Sequence, residues 1–171
     1  MSPPDRQVVV RLQDGTAADA VTRAAAESLS AKAGTRNLDS PIIALSASAS
    51  AVIAPALEAL GSASRLYLVG ATAPDRGTIA GFTPAALAER LTASGLSAAV
   101  KISVVADHAA LPEGEDAASY DAPPAAASRS FAAALHRILG NSGVRTELVA
   151  RVGAVRVPGA SDGADHRANA A

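Results

Sequence analysis

The sequence predicts a single α/β domain with a mainly parallel sheet and helices on both faces. Three observations lead to this fold class. The chain has 171 residues, enough for one well-buried core and too few for two ordinary domains. Its hydrophobic share is 49%, and many of these residues fall in short β-branched runs. Those runs alternate with segments of helical periodicity, which is the pattern of βαβ units.

The first half of the chain predicts two strand–helix pairs. Val8–Leu12 is short and β-branched and is followed by a turn signal, so it is predicted as the first strand. Thr16 is the predicted N-cap of a helix over Ala17–Ala33, which ends before a glycine. Pro41–Leu45 is the second predicted strand. Val52–Gly61 has the composition of a helix that ends in a glycine.

The second half continues the alternation. Leu66–Val69 is the third predicted strand, and Thr83 followed by a proline is a strong start signal for a helix that runs to Leu91. Val100–Val105 is the fourth strand. Apolar residues at helical spacing predict a helix over Phe131–Gly140. Glu147–Val157, broken at a glycine, is predicted as a final strand or hairpin.

These elements divide the chain into three regions. We assign residues 1–6 to a flexible N-terminus, residues 7–157 to the α/β domain, and residues 158–171 to a disordered tail rich in glycine, alanine and aspartate. Within the domain, Asp107–Ala127 is a long loop of alanine, proline and acidic residues. Loops of that length in compact domains are usually functional or mobile.

Composition excludes several classes of function. The chain contains no cysteine, so thiol nucleophiles, thiolate metal sites and disulfides are all ruled out. The net charge of −1 comes without a basic stripe, and we expect no nucleic-acid binding. The sequence shows neither a signal-peptide core nor an apolar run long enough to span a membrane. We expect a cytoplasmic protein, or one exported without a cleaved signal peptide.

In an open parallel sheet, ligands and catalytic groups gather at the carboxyl ends of the strands. After the third strand stand Gly70, Ala71 and Thr72, and after the fourth stand Asp107 and His108. These two segments are therefore the predicted site.

The residues around both segments resemble the caspase-like autoprocessing cysteine-protease domain of large bacterial toxins. In that family a hydrophobic strand ends in Val-Gly-His-Gly, and a Leu-Ala-Gly-x-(Ser/Thr)-Pro element then opens a helix. Here Leu66–Thr72 is followed by Thr78–Pro84, which includes Ile-Ala-Gly-Phe-Thr-Pro. Ile102–Asp107 resembles the strand that delivers the catalytic cysteine. The resemblance covers Gln7–Val157 and implies a three-layer caspase-like, flavodoxin-like domain.

The sequence departs from the family at the residues that define its activity. Ala71 stands at the histidine position, Thr72 at the glycine that follows it, and Asp107 at or next to the cysteine position. Caspase-like catalysis needs a thiolate and an imidazole. The resemblance therefore implies a catalytically inactive pseudoprotease, a binding or regulatory module of a bacterial effector or toxin system. We expect a protein or peptide partner to be bound near Thr72, Asp107 and His108.

Two alternatives stay open. One is a hydrolase whose chemistry is rebuilt around Asp107, with Asp75 or His108 as a helper. The other is a flavodoxin-like binder of a small molecule, in which the likeness to proteases reflects fold alone.

Cofactor and metal sites are not expected. The three histidines are scattered and lack zinc-ligand spacing. The toxin domains bind inositol hexakisphosphate in a dense basic pocket. The resemblance implies that Arg145, Arg151 and Arg156, near the last strands here, are the candidate binding residues of a reduced version of that pocket. With so few cations, we expect inositol phosphate to bind weakly or not at all.

Overall fold

The structure is a computed structural model, which describes residues 5–15, 18–48, 57–97, 100–111 and 129–150. Five strands and three helices lie within these ranges. The strands are Gln7–Gln13 (β1), Ile42–Ser46 (β2), Arg65–Val69 (β3), Lys101–Val105 (β4) and Glu147–Ala150 (β5). The helices are Ala20–Gly34 (α1), Pro84–Ala93 (α2) and Phe131–Asn141 (α3).

The strands form one sheet in the order β2-β1-β3-β4-β5, and every pairing in it is parallel. The chain therefore moves outward in one direction from β1 to β2 and in the other direction from β3 to β5. That reversal places a topological switch point between β1 and β3, where open α/β folds hold their ligands. The predicted α/β class with a parallel sheet is confirmed.

Alternate residues of each strand pack on opposite faces of the sheet, and each face has its own apolar cluster. We call the face that carries Val9 and Val69 the front face, and there the strands pack against Ala25 and Ala26 of α1. The back face carries the larger cluster, which includes Leu68, side chains of α2 such as Leu87, and side chains of α3. Helices on both faces make a three-layer α/β domain. Because alanines line the buried side of α1, this helix approaches the sheet closely.

The helix starts follow N-cap chemistry. Thr83 accepts a hydrogen bond from the amide of Ala86 at 3.2 Å, which confirms the predicted start of α2. The predicted start of α1 is wrong. Its N-cap is Asp19, whose carboxylate accepts from the Thr22 amide at 2.9 Å, whereas Thr16 lies outside the described residues. Aspartate is a stronger N-cap than threonine, and the helix begins three residues later than predicted.

Two other predictions are only partly covered. The end of the predicted Val52–Gly61 helix falls on described residues, and there the prediction is wrong. Residues 57–59 form a turn, and the Gly61 amide donates to the Ser64 hydroxyl at 3.0 Å. The rest of that helix lies outside the described residues. So do residues 151–157 of the last predicted strand, most of the Asp107–Ala127 loop, the first four residues and the tail. Glu147–Ala150 is the part of the last strand that the structure describes.

Candidate functional site

The predicted site residues of β3 and β4 meet at the carboxyl edge of the sheet. β3 and β4 are adjacent and parallel, with Val69 opposite Val105. Beyond this last pair, the Thr72 hydroxyl donates to the backbone carbonyl of Asp107 at 2.6 Å. Ala71 and Asp107 line the same cavity. The expectation that these two positions lie together is therefore confirmed.

The cavity lies between this edge and the start of α1, and its volume is about 150 Å³. Its walls are mostly aliphatic. Val69 and Val105 form the floor on the front face of the sheet, and Ala25 and Val21 come from α1. Val21 is 49% exposed, so its side chain is accessible to a ligand. The remaining lining residues are Asp19, Thr22, Gly70, Ala71 and Asp107.

The segment after β3 folds back on itself and fixes the backbone at Ala71. Ile79 bridges both Thr72 and Phe82 in antiparallel fashion, and the Ala80 amide donates to the Ala71 carbonyl at 2.7 Å. Ile79 and Phe82 are buried, so this loop is anchored in the back-face core.

Gly70 lets the returning loop pack against the end of β3. A Cβ atom at this position would lie 2.7 Å from Cγ2 of Ile79 and 3.1 Å from Cβ of Leu12. Both neighbours are buried in the core, and neither contact is with the free end of a flexible side chain. Glycine is therefore required by close approach rather than by an unusual φ angle.

The two proposed helpers of Asp107 are placed differently. His108 follows Asp107 directly, is half-buried, and has a left-handed backbone with φ of 53°. Left-handed residues other than glycine are uncommon and cluster at functional turns. Asp75 lines a separate cavity with Arg76 and Arg129, and its carboxylate accepts from the Gly77 amide at 2.9 Å. His108 therefore adjoins Asp107 in the chain but does not line the cavity, and Asp75 lines another cavity.

Of the three predicted basic residues, the one that the structure describes lies away from the site. Arg145 is exposed and precedes β5, so it lies at the amino edge of the parallel sheet, opposite to Ala71. Arg151 and Arg156 lie outside the described residues. Across the described ranges, no three side chains of the metal-binding types come together as a metal site.

Asp19 is the site residue that sequence reasoning missed. Burial opposes its ionisation, but hydrogen bonds from the side chain and amide of Thr22 and from the amide of Val21 outweigh this, and the pKa of Asp19 lies below its ordinary value. The carboxylate is therefore charged at neutral pH. An aspartate three residues before a threonine at the start of a helical segment is the signal that could have identified it.

The cavity thus offers aliphatic walls and two carboxylate-bearing residues, Asp19 and Asp107. Ala71 contributes only a methyl group to it. The arrangement suits the binding of an apolar or amphipathic group. Within the described ranges, no helix is both long and apolar enough to cross a membrane. The chain matches no family model, and a search of the curated proteins finds no relative.

Proposed function

We propose that this chain is a non-catalytic, caspase-like domain that binds a peptide segment of another protein at the carboxyl edge of its sheet. The observation that carries the proposal is the cavity shared by Ala71 and Asp107. This cavity lies at the two positions where the resemblance to caspase-like proteases implies the catalytic pair. The residues at those positions can contact a ligand but are not a thiol and an imidazole.

The absence of a thiol and of an imidazole at these two positions supports binding rather than cleavage. A cysteine protease attacks with a thiolate that a neighbouring imidazole assists. The chain has no cysteine, and the side chain of Ala71 can neither accept nor donate a proton. Backbone donors alone can orient a carbonyl group, but they do not attack it.

The size of the cavity supports a peptide over a cofactor. Sites for drug-sized ligands and cofactors occupy about 300 to 1,000 Å³, whereas this cavity measures about 150 Å³. A volume of that size holds one amino-acid side chain. A segment whose side chain enters the cavity would lay its backbone along the edge formed by Ala71, Thr72 and Asp107.

A small-molecule binder is the second candidate, and one observation favours it. The cavity adjoins the switch point between β1 and β3, where folds with this strand order bind ligands. The hydrolase alternative has less support, because Asp75 lines a different cavity from Asp107. A carboxylate that works as an acid or a base needs its partner within hydrogen-bond reach.

The test is to pan a random peptide library against the immobilised full chain and against two matched variants. Ala71→Phe fills the cavity from an exposed position, and Ala86→Phe adds the same ring at an exposed position of α2. We expect a peptide consensus that Ala71→Phe abolishes and Ala86→Phe retains. Equal binding by both variants would show that the peptides bind elsewhere, and the absence of any enrichment would contradict the proposed function.

A further inference from the structure

We infer that the cavity between α1 and Asp107 selects a basic side chain, lysine or arginine, from the bound peptide. This inference rests on the proposed function and names the class of side chain that the site takes. Two features of the lining support it: the aliphatic walls and the charge at the rim.

The walls match the stem of a long basic side chain. Val21, Val69 and Val105 face the cavity from α1, β3 and β4. Lysine and arginine bury their methylene stems along such surfaces and keep the charged head at the polar end. A short polar side chain would leave these valines uncovered.

The charge at the rim is negative. Asp19 and Asp107 both line the cavity, and none of the described lining residues is lysine, arginine or histidine. The amino end of α1 contributes a partial positive charge of about +0.5, which is smaller than the combined charge of two carboxylates. The balance therefore favours a cation over an anion.

Asp19 can contact a ligand while it caps the helix. Its Oδ1 accepts from the Thr22 amide at 2.9 Å and its Oδ2 from the Thr22 hydroxyl at 2.6 Å. The amides of Val21 and of Asp19 itself also donate to this carboxylate, and none of these bonds removes its negative charge. Asp19 is an exposed residue, so this charge is accessible to an incoming ammonium or guanidinium group.

The test uses blocked pentapeptides Ala-Ala-X-Ala-Ala, in which X is lysine, arginine, norleucine or glutamate. Norleucine has the aliphatic stem of lysine without its charge. The peptides are titrated into the ¹⁵N-labelled full chain, and the amide shifts of Gly70, Ala71 and Asp107 report binding. We expect the lysine and arginine peptides to bind at least about 10-fold more tightly than the norleucine peptide, a difference that a charge-assisted contact supplies.

Asp19→Asn and Asp107→Asn locate the source of this preference. Asparagine caps a helix as well as aspartate does, so Asp19→Asn removes the charge and retains the cap. Each variant should lower the affinity for the lysine peptide several-fold more than the affinity for the norleucine peptide. Glu89→Gln, an exposed position of α2, is the control and should change neither affinity.

The outcomes separate the two proposals. If norleucine binds as tightly as lysine, or if the two asparagine variants keep the full lysine preference, the inference about charge is wrong while the peptide site stands. If no peptide shifts these amides, the proposed function fails, and the inference fails with it. A cooperative thermal melt of Asp19→Asn with a midpoint well above the temperature of the titration shows that any lost preference comes from charge rather than from unfolding.

Discussion

The hydroxyl of Thr72 and the backbone carbonyl of Asp107 are joined by a hydrogen bond of 2.6 Å, although the two residues are far apart in the chain. The bond lies beyond the last paired residues of β3 and β4, and it holds the two segments that follow these strands together. The Thr72 side chain therefore fixes the mouth of the cavity at a point beyond the end of the sheet pairing.

Removing this bond should destabilise the domain modestly. Thr72→Val keeps the shape of the side chain but leaves the Asp107 carbonyl without this donor. A typical hydrogen bond contributes about 0.5 to 1.5 kcal/mol to stability, and we expect a loss in that range in urea denaturation. Thr72→Ser retains the hydroxyl and should lose less. Equal losses in the two variants would show that the methyl group rather than the bond matters.

Gly70→Ala should be clearly destabilising. The added Cβ would lie 2.7 Å from Ile79, and such overpacking costs about 1 to 3 kcal/mol. Gly140→Ala is the matched control, because a Cβ at that helical position meets no described atom within 4 Å apart from the adjoining backbone of its own helix. It should stabilise α3 by up to about 1 kcal/mol. Denaturant midpoints of both variants check the prediction, and a neutral Gly70→Ala would mean that the loop does not pack on β3 as described.

The stability of the folded domain should depend on pH through Asp19. Its pKa in the folded chain lies below the ordinary value of 3.8, so the folded state favours the ionised form. The resulting stabilisation is fully present above that ordinary value and is lost as the pH falls through the lower pKa of the folded state. In Asp19→Asn this dependence should disappear while the cap remains. The melting temperatures of the two proteins should therefore converge as the pH falls below 3.8, and a constant difference would contradict this assignment.

Asp19→Ala separates the cap from the charge. It removes the hydrogen-bond acceptor altogether, and losing an N-cap costs about 1 kcal/mol. Asp19→Asn should retain most of that stability at neutral pH. An alanine variant as stable as the asparagine variant would show that the Thr22 contacts contribute little.

Much of the fold could be predicted because its signals are local. The β-branched run at Val8–Leu12 and the Thr83-Pro84 start each specify an element without help from the rest of the chain. The start of α1 was predicted wrongly because two residues that can cap a helix, Thr16 and Asp19, lie within four positions of the chain. The choice depends on which side chain reaches a free amide, and pattern alone does not show that distance.

The site could be predicted only in part. Parallel strands bring their carboxyl ends to one edge, so the meeting of Ala71 and Asp107 follows from strand order and could be anticipated. The approach of α1 could not, because the place of a helix over the front face depends on how closely alanines such as Ala25 pack on the sheet. Asp19 and Val21 could therefore be assigned to the site only from the structure.

Reconstruction of the catalytic pair tests the resemblance to caspase-like proteases. Ala71→His with Asp107→Cys places an imidazole and a thiol on the two positions that line one cavity. Adding Thr72→Gly reproduces the family motif but removes the hydrogen bond to the carbonyl of residue 107. We expect a thiol-directed peptide inhibitor to label the double variant, and to label the triple variant less because its edge is less ordered.

The control for that experiment is Asp107→Cys alone. Its thiol has no imidazole beside it, and thiolate character controls cysteine reactivity. The inhibitor should therefore label it more slowly than the double variant. Equal labelling rates would show that position 71 does not reach the thiol and would remove the support for a caspase-like arrangement.

Mass spectrometry of a peptide library after incubation with the unmodified full chain shows most directly whether the site binds peptides without cutting them. We expect the peptides retained by the protein to be recovered intact, because the chain has no thiol and Ala71 supplies no base. Peptides cut by the unmodified chain and left whole by Asp107→Asn would contradict this expectation, and would identify the protein as a hydrolase that uses Asp107.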